Sequence, residues 1–276
     1  PAAARLAKAF AAPLSIKARG SDITYWGGVD YARAAMVEAA RQADGLLAVS
    51  DALARDMRAL GMPGASIAIH TTGLDRDRFR PLGHPRLRAQ LGAEMGLDLP
   101  NTAPLFACVG ALVARKGHDL AIEALARLES AYPDARLLLV GMGEEEAALR
   151  CLVRERGLES RVHLTGAVDH DILPVILSAA DIMVLPTVNE GLANAWVEAL
   201  ACGTPLVTCD VGGARDVVTS AAAGRLVERS AQGVAEGIVA ILADPPDPDE
   251  GAALVQHFNW DTHAQELAQH YTALAG

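Results

Sequence analysis

What most constrains this chain is a rhythm of short, continuous apolar runs separated by longer stretches of helical period. The runs are "PLSIKA" (13–18), "GLLAVS" (45–50), "SIAIH" (66–70), "PLFACVG" (104–110), "ARLLLVG" (135–141), "RVHLTG" (161–166), "DIMVLP" (181–186), "PLVTCD" (205–210) and "GRLVE" (224–228). Helical stretches fall at 29–43, 51–60, 117–130, 144–157, 193–202 and 231–243. A strand without polar alternation has both faces buried, and a helix between successive strands supplies the cover. The pattern therefore predicts an α/β fold built on parallel sheets. At 276 residues the chain is long enough for two such domains.

Two breaks interrupt the rhythm. Residues 71–103 are polar, rich in Arg, Gly and Pro, with little strand character, and read as the connection between two domains. "ADPPDPDEGA" (243–252) precedes a final amphipathic helix, for which Asp261 or Thr262 offers a cap. A net charge of −10 argues against a general basic surface for nucleic acid, though not against a local phosphate pocket. Cys108, Cys151, Cys202 and Cys209 form no CxxC pair and read as reduced core cysteines. No apolar run reaches the roughly 18 residues of a spanning helix, and no signal peptide is visible.

In open parallel sheets ligands bind beyond the carboxyl ends of the strands. "VGALVARKGHDLAIEAL" ends a strand at Gly110 and places Arg115 and Lys116 beside a helix N-terminus, where free amides also favour an anion. "VGMGEEEAALR" has Gly141 and Gly143 but Glu146 at the third glycine position, so it is a poor dinucleotide fingerprint. Its acids suit the first turn of a helix. "TGAVDHD" (165–171) offers main-chain groups near Val168 to a planar base, with His170 a surface residue. In "NEGLANAWVEALACGTPLV" (189–207), Glu190 and Gly191 follow a strand, and Glu198 falls inside a helix of otherwise buried character. A buried carboxylate costs several kcal/mol unless something pairs with it.

That last stretch closely resembles the signature of family-4 retaining glycosyltransferases of the GT-B fold: Glu-Gly, a helix carrying a second Glu eight residues on, then a Gly-x-Pro-Val stop. "VGALVARKGHDLAIEAL" resembles the family's phosphate loop, "VGMGEEEAALR" and "LTGAV" its next two units, "HTTGLDRDRFRP" its interdomain segment, and "LLAVSDALARDM" the strand and helix before that. The matches run in family order over roughly residues 13–260.

The resemblance implies two Rossmann-like, doubly wound parallel-sheet domains. Residues 1–79 would be the last part of an acceptor-side domain, incomplete at its front and exposing apolar sheet edge. Residues 80–255 would bind the nucleotide sugar, and 256–276 would form a helix crossing back to the first domain. The implied activity is retaining, metal-independent transfer of a sugar from a UDP- or GDP-sugar, a substrate rather than a cofactor, to a lipid-linked or polysaccharide acceptor. The stretch alone is expected to be inactive. The implied setting is the cytoplasm, with peripheral contact at the inner membrane face. Glu198 would accept the ribose hydroxyls, and Glu190 would contact the transferred sugar. The amides of Gly191, Leu192, Ala193 and Asn194 would hold sugar and pyrophosphate. Lys116, with Arg115, would neutralise the departing diphosphate. Gly110, Gly141 and Val168 would line the nucleotide.

Three departures stand out. Ala111 replaces the family arginine that shares the diphosphate, leaving Arg115 to substitute. Thr72 replaces the interdomain Asn. Arg19 stands where the family has its active-site histidine; a guanidinium cannot act as a base, although it can bind a phosphate or carboxylate. Asp22 would lie on the acceptor side. Arg5, Lys8, Lys17 and Arg19 suit either an anionic surface or plain solvation. His263 and His270, one heptad apart, read as interface or surface residues rather than metal ligands. The alternatives left open are a non-catalytic nucleotide-sugar-binding module and another GT-B enzyme, such as a sugar phosphorylase or epimerase.

Overall fold

A computed structural model describes residues 2–64, 67–83 and 86–276. In chain order the elements are α1 (Ala2–Phe10), β1 (Ser15–Ala18), α2 (Ser21–Thr24), α3 (Asp30–Arg41), β2 (Gly45–Ala48), α4 (Asp51–Ala59), β3 (Ile67–Ile69), α5 (Leu87–Met95), β4 (Leu105–Val109), α6 (His118–Arg127), β5 (Arg136–Val140), α7 (Glu146–Glu155), β6 (Val162–Gly166), α8 (Leu173–Ala179), β7 (Ile182–Leu185), α9 (Asn194–Ala201), β8 (Leu206–Cys209), α10 (Ala214–Val217), β9 (Gly224–Val227), α11 (Ala231–Ala243), α12 (Pro248–Leu254) and α13 (Trp260–Ala275). Each apolar run of the sequence contains a strand, trimmed by one or two residues at its ends. The predicted start of β3 at Ser66 lies outside the described residues.

The chain forms two compact units. One comprises the chain up to Leu74 with Asn189–Ala193 and His257–Gly276; the other comprises Asp75–Val188 and Asn194–Gln256. The larger unit holds a parallel sheet in the order β6-β5-β4-β7-β8-β9. Chain order runs outward from β4 to β6, then from β7 to β9, so β4 and β7 flank the switch point at which such sheets bind ligands. All of Leu105–Val109 and Ile182–Leu185 is buried. α6, α7 and α11 cover one face, while α8, α9 and α12 cover the other. α5 rests on α8. Its Arg88 donates to the carbonyls of Ala103 and Ala179 and pairs with Asp181 at 3.0 Å. Asp181 in turn accepts from the Leu105 amide, which locks the amino ends of β4 and β7.

The smaller unit carries the parallel sheet β1-β2-β3, with β2 buried throughout. Ala4 of α1, Leu14 and Ala39 of α3 close one side. Ser50 caps α4 by accepting from the Leu53 amide at 3.1 Å.

Several local expectations need correcting. The 71–103 connection contains helix α5, ended by Gly96 in the left-handed region; its apolar residues lack a clean helical stripe, so periodicity did not reveal it. The Pro-rich breaker contains α12, where Pro248 occupies the first turn, the one helical place that needs no N–H from it. Asn259, not Asp261 or Thr262, caps α13: its backbone is still extended, and its side chain accepts from the Thr262 amide at 2.8 Å. Of the four cysteines, all free, Cys151 is exposed on α7 rather than in the core. α7 begins only at Glu146, so Glu144 and Glu145 fall before its first turn. No described helix is long and apolar enough to cross a membrane.

Candidate functional site

In the larger unit the carboxyl ends of β4, β5 and β6 are finished by three glycines placed side by side. The Gly110 amide donates to Val140, and the Gly141 amide to Gly166. A Cβ on Gly141 would lie 2.0 Å from the Gly110 carbonyl oxygen, so only glycine fits. The loop of Val168, half-buried, leaves from Gly166. The result is a floor of bare backbone beside the switch point.

One cation lies over that floor. A single 3-10 turn, Ala114–Lys116, precedes α6. Gly117 follows at φ 75°, and a Cβ there would sit 2.4 Å from the Pro186 carbonyl oxygen, so the turn presses directly on the end of β7. This folds Lys116 inward: it is only 9% exposed, and its Cε and Nζ lie 3.6 and 3.8 Å from where a Gly110 Cβ would be. Arg115 is exposed instead, and it is its carbonyl that is anchored, accepting from Thr187 Oγ1 and the Val188 amide. Ala111 is exposed as well.

α9 carries Asn194 at its start and Glu198 one turn later, so both share a face. Trp196, Val197, Ala199 and Leu200 are buried. The Glu198 side chain is half-buried and makes no hydrogen bond or ion pair with any described residue, while its backbone carbonyl accepts from the Cys202 amide at 3.1 Å. Burial alone pushes its carboxyl up to about 7. A carboxyl raised by burial, with no side-chain partner among the described residues, marks a candidate functional site.

In the smaller unit, the 189–193 loop meets Arg19 and Gly20 backbone to backbone. A Cβ on Gly191 would lie 2.3 Å from the Arg19 carbonyl oxygen, and one on Gly20 would lie 3.0 Å from the Gly191 nitrogen. Asp22 staples the turn by accepting from the amides of Arg19 and Gly20, the latter at 2.7 Å. Its carboxylate is thereby committed to backbone, while Arg19 stays exposed. Leu192 and Ala193 are buried, and Glu190 is half-buried.

Sequence reasoning did not single out two residues close to the lysine turn. His118 opens α6 only 2% exposed, with neither ring nitrogen hydrogen-bonded among the described residues. Burial first, then the Lys116 charge, depress it to about 4, so it adds no charge near the loop at neutral pH. Arg229 donates Nε to the Pro186 carbonyl at 3.1 Å, bracing the same strand end that Gly117 touches. A lone His after Lys-Gly and a lone Arg after a strand carry no spacing signal. The glycines did carry one, as punctuation after each strand.

A glycine-floored strand end with a buried lysine beside a switch point, in a unit that also carries the half-buried Glu198, gives a Rossmann-like unit with the features of an anion site. Comparison with known proteins narrows this. The model described as Glycosyl transferases group 1 matches residues 95–253, more than half the chain, and the protein belongs to this family, with the GT-B fold. A GDP-mannose-dependent alpha-(1-6)-phosphatidylinositol monomannoside mannosyltransferase of Mycobacterium tuberculosis is 33% identical over 219 residues, covering 75% of this chain and 56% of the relative. The chain thus spans about half the length of that curated relative. Sucrose-phosphate synthase of Thermosynechococcus elongatus superposes with a TM-score of 0.85 at 27% identity, covering 98% of this chain and 70% of that one. HepE of Anabaena, solved with UDP-glucose, gives 0.86 at 23% identity over 98% and 75% of the respective chains, a likeness of fold.

Proposed function

We propose that the chain acts in a retaining glycosyltransferase that moves a hexose from a UDP- or GDP-sugar to a lipid-linked or glycan acceptor, in the cytoplasm with peripheral contact at the membrane face. The observation that carries this reading is Glu198: a half-buried carboxylate without a protein partner, held up at about 7 by burial. Two adjacent ribose hydroxyls are the donors that would satisfy it. Gly110 and Gly141 let the nucleotide approach backbone closely, and Val168 flanks the base. As the glycosidic bond to the leaving group breaks, negative charge grows on the diphosphate. Lys116 meets it, with Arg115 next to it in sequence, and the amides of Gly191, Leu192, Ala193 and Asn194 are assigned to sugar and pyrophosphate; fixed donors aimed at developing charge are the largest catalytic effect such groups can supply. Glu190 holds the transferred sugar, and Arg19 with the turn stapled by Asp22 faces the acceptor. The mannosyltransferase relative makes GDP-mannose the first donor to try.

The test is calorimetric titration of the protein with GDP and UDP, and with Glu198→Ala and Lys116→Ala. One nucleotide should bind, more weakly to both variants. If neither binds to folded protein, the transferase reading fails; if binding occurs but no acceptor ever receives sugar, a binding module replaces it.

A further inference from the structure

The last helix is attached in an unusual way. α13 has 16 residues and none is buried. Its half-buried positions are His263, Leu267, His270 and Leu274, a stripe at intervals of four, three and four that marks the contacting face. Half of that stripe is histidine. His263 stacks on His70 with ring centroids 4.0 Å apart, and Trp260 meets the His263 ring edge-on at 5.4 Å. Behind the stack, Lys17 Nζ lies 2.8 Å from His70 Nδ1 and donates to the Thr71 carbonyl at 2.9 Å. Since the ammonium can only donate, Nδ1 accepts from it and His70 Nε2–H donates to the His263 carbonyl, at 3.0 Å. One heptad on, His270 Nε2 is 2.8 Å from Ser15 Oγ, and its ring fills the space a Gly45 side chain would need, at 2.6 Å. Trp260 fills the corresponding space at Gly73, at 2.4 Å.

We propose that α13 is an acid-releasable strap, docked on β1, β2 and the end of β3 with His263 in its neutral form against His70 and Lys17, and loosened when His263 takes up a proton. The groups facing His263 are Lys17 from β1 and His70 after β3, and the Lys17 ammonium opposes a second positive charge. Arg19 acts on Lys17 rather than on the ring. Neither α13 carboxylate, Asp261 or Glu266, is among the charges that act on it. Around His270 the partners are the Ser15 hydroxyl and the Gly45 backbone, and the neighbouring acid, Asp44, is committed to the Leu14 amide at 2.8 Å. In agreement with this geometry, burial first and then His70 and Lys17 depress His263 to about 4. An undocked imidazole binds its proton near 6.5, so protons favour the undocked strap between those two values. Discounting for the ring's partial exposure, the undocked fraction should rise about tenfold from pH 7.5 to 5.

The experiment is amide hydrogen exchange of the full chain at pH 7.5 and 5, corrected for intrinsic rates and read on peptides covering 260–275. Protection there should fall about tenfold in acid while the β4–β9 sheet keeps its own. In the variant His263→Phe, which retains a ring on His70 but has no proton to take up there, it should stay constant. A strap equally protected at both pH values overturns the proposal, as does a variant that loosens as much as wild type. Should the variant not fold, NMR titration of wild-type His263 decides: a midpoint near 6.5 refutes, one well below supports.

Discussion

If Glu198 is the ribose acceptor, donor binding must be coupled to proton release. In the free protein burial alone holds this carboxyl at about 7, so about half the molecules carry a proton there at pH 7. The ionised group can accept from two hydroxyls, while the protonated form has lost part of that capacity. Binding of the donor should therefore draw the pKa back toward the ordinary carboxylate range and release about half a proton at pH 7. Apparent affinity should follow the ionised fraction, about nine-tenths at pH 8 and one-tenth at pH 6, a loss of roughly tenfold across that interval. The titrant should be the intact nucleotide sugar, since a terminal phosphate has its own pKa near 6. The assay is calorimetry in buffers of differing ionisation enthalpy, repeated at pH 6, 7 and 8. Glu198→Gln should bind on the order of 10-fold to 100-fold more weakly, from the loss of charge-assisted hydrogen bonds, and without pH dependence. A pH-independent affinity for the wild type, with no proton released at pH 7, would refute the assignment. Stability supplies a second check. An acid whose folded pKa is raised loses stability as pH climbs from about 4.5 through 7, here by roughly 2–3 kcal/mol at pH 8. The Gln variant, weaker in binding, should thus melt higher than wild type at pH 8, by on the order of 5 °C, and no higher at pH 4.

Other perturbations have equally definite outcomes. Lys116→Met should weaken binding of the nucleotide sugar at least about tenfold, while leaving the affinity for the bare nucleoside, which lacks the diphosphate, unchanged in the same titration. Gly191→Ala places a methyl 2.3 Å from the Arg19 carbonyl. It should displace the 189–193 loop at a cost of about 1–3 kcal/mol, seen as lower stability by denaturant unfolding and a fall in transfer rate that exceeds any change in donor affinity. Transfer by an active preparation should survive excess chelator, because in this mechanism Lys116 and backbone amides stabilise the leaving diphosphate; loss of rate on chelation would assign that task to a metal.

Strand positions were legible because a parallel strand covered on both faces has to be continuously apolar, and nothing else in a globular chain of this composition imposes that pattern at such spacing. "LFACV" and "IMVL" could scarcely be anything else. α5 was illegible for the converse reason: its role is discharged by Arg88, which reaches past its own helix to two carbonyls and Asp181. A long polar side chain satisfying distant backbone leaves no periodic trace. The Asn259 cap was misplaced by two or three residues because Asn, Asp and Thr all compete for that position, and only the extended backbone at Asn259 decides between them.

The site divides along a similar line. Glycines after strands announce close backbone approach, and the structure shows what they approach: Gly141 the Gly110 carbonyl, Gly117 the Pro186 carbonyl, Gly191 the Arg19 carbonyl. In each case one loop's missing side chain lets another loop's backbone sit flush, so peptide rather than side chain is packed there. Charge is then scarce by construction, and the direction of each cation matters more than the count. The sequence offers Arg115 and Lys116 as an adjacent pair, but a tight turn ending at left-handed Gly117 can bury only one of two successive residues. It buries Lys116 over Gly110, and leaves Arg115 at the surface with its carbonyl anchoring residues 187 and 188. Ala111, where the resemblance puts an arginine, is exposed, and so is Arg115, its proposed substitute. Lys116 is the cation that lies over Gly110, which is why its removal should discriminate so sharply between a ligand with a diphosphate and one without.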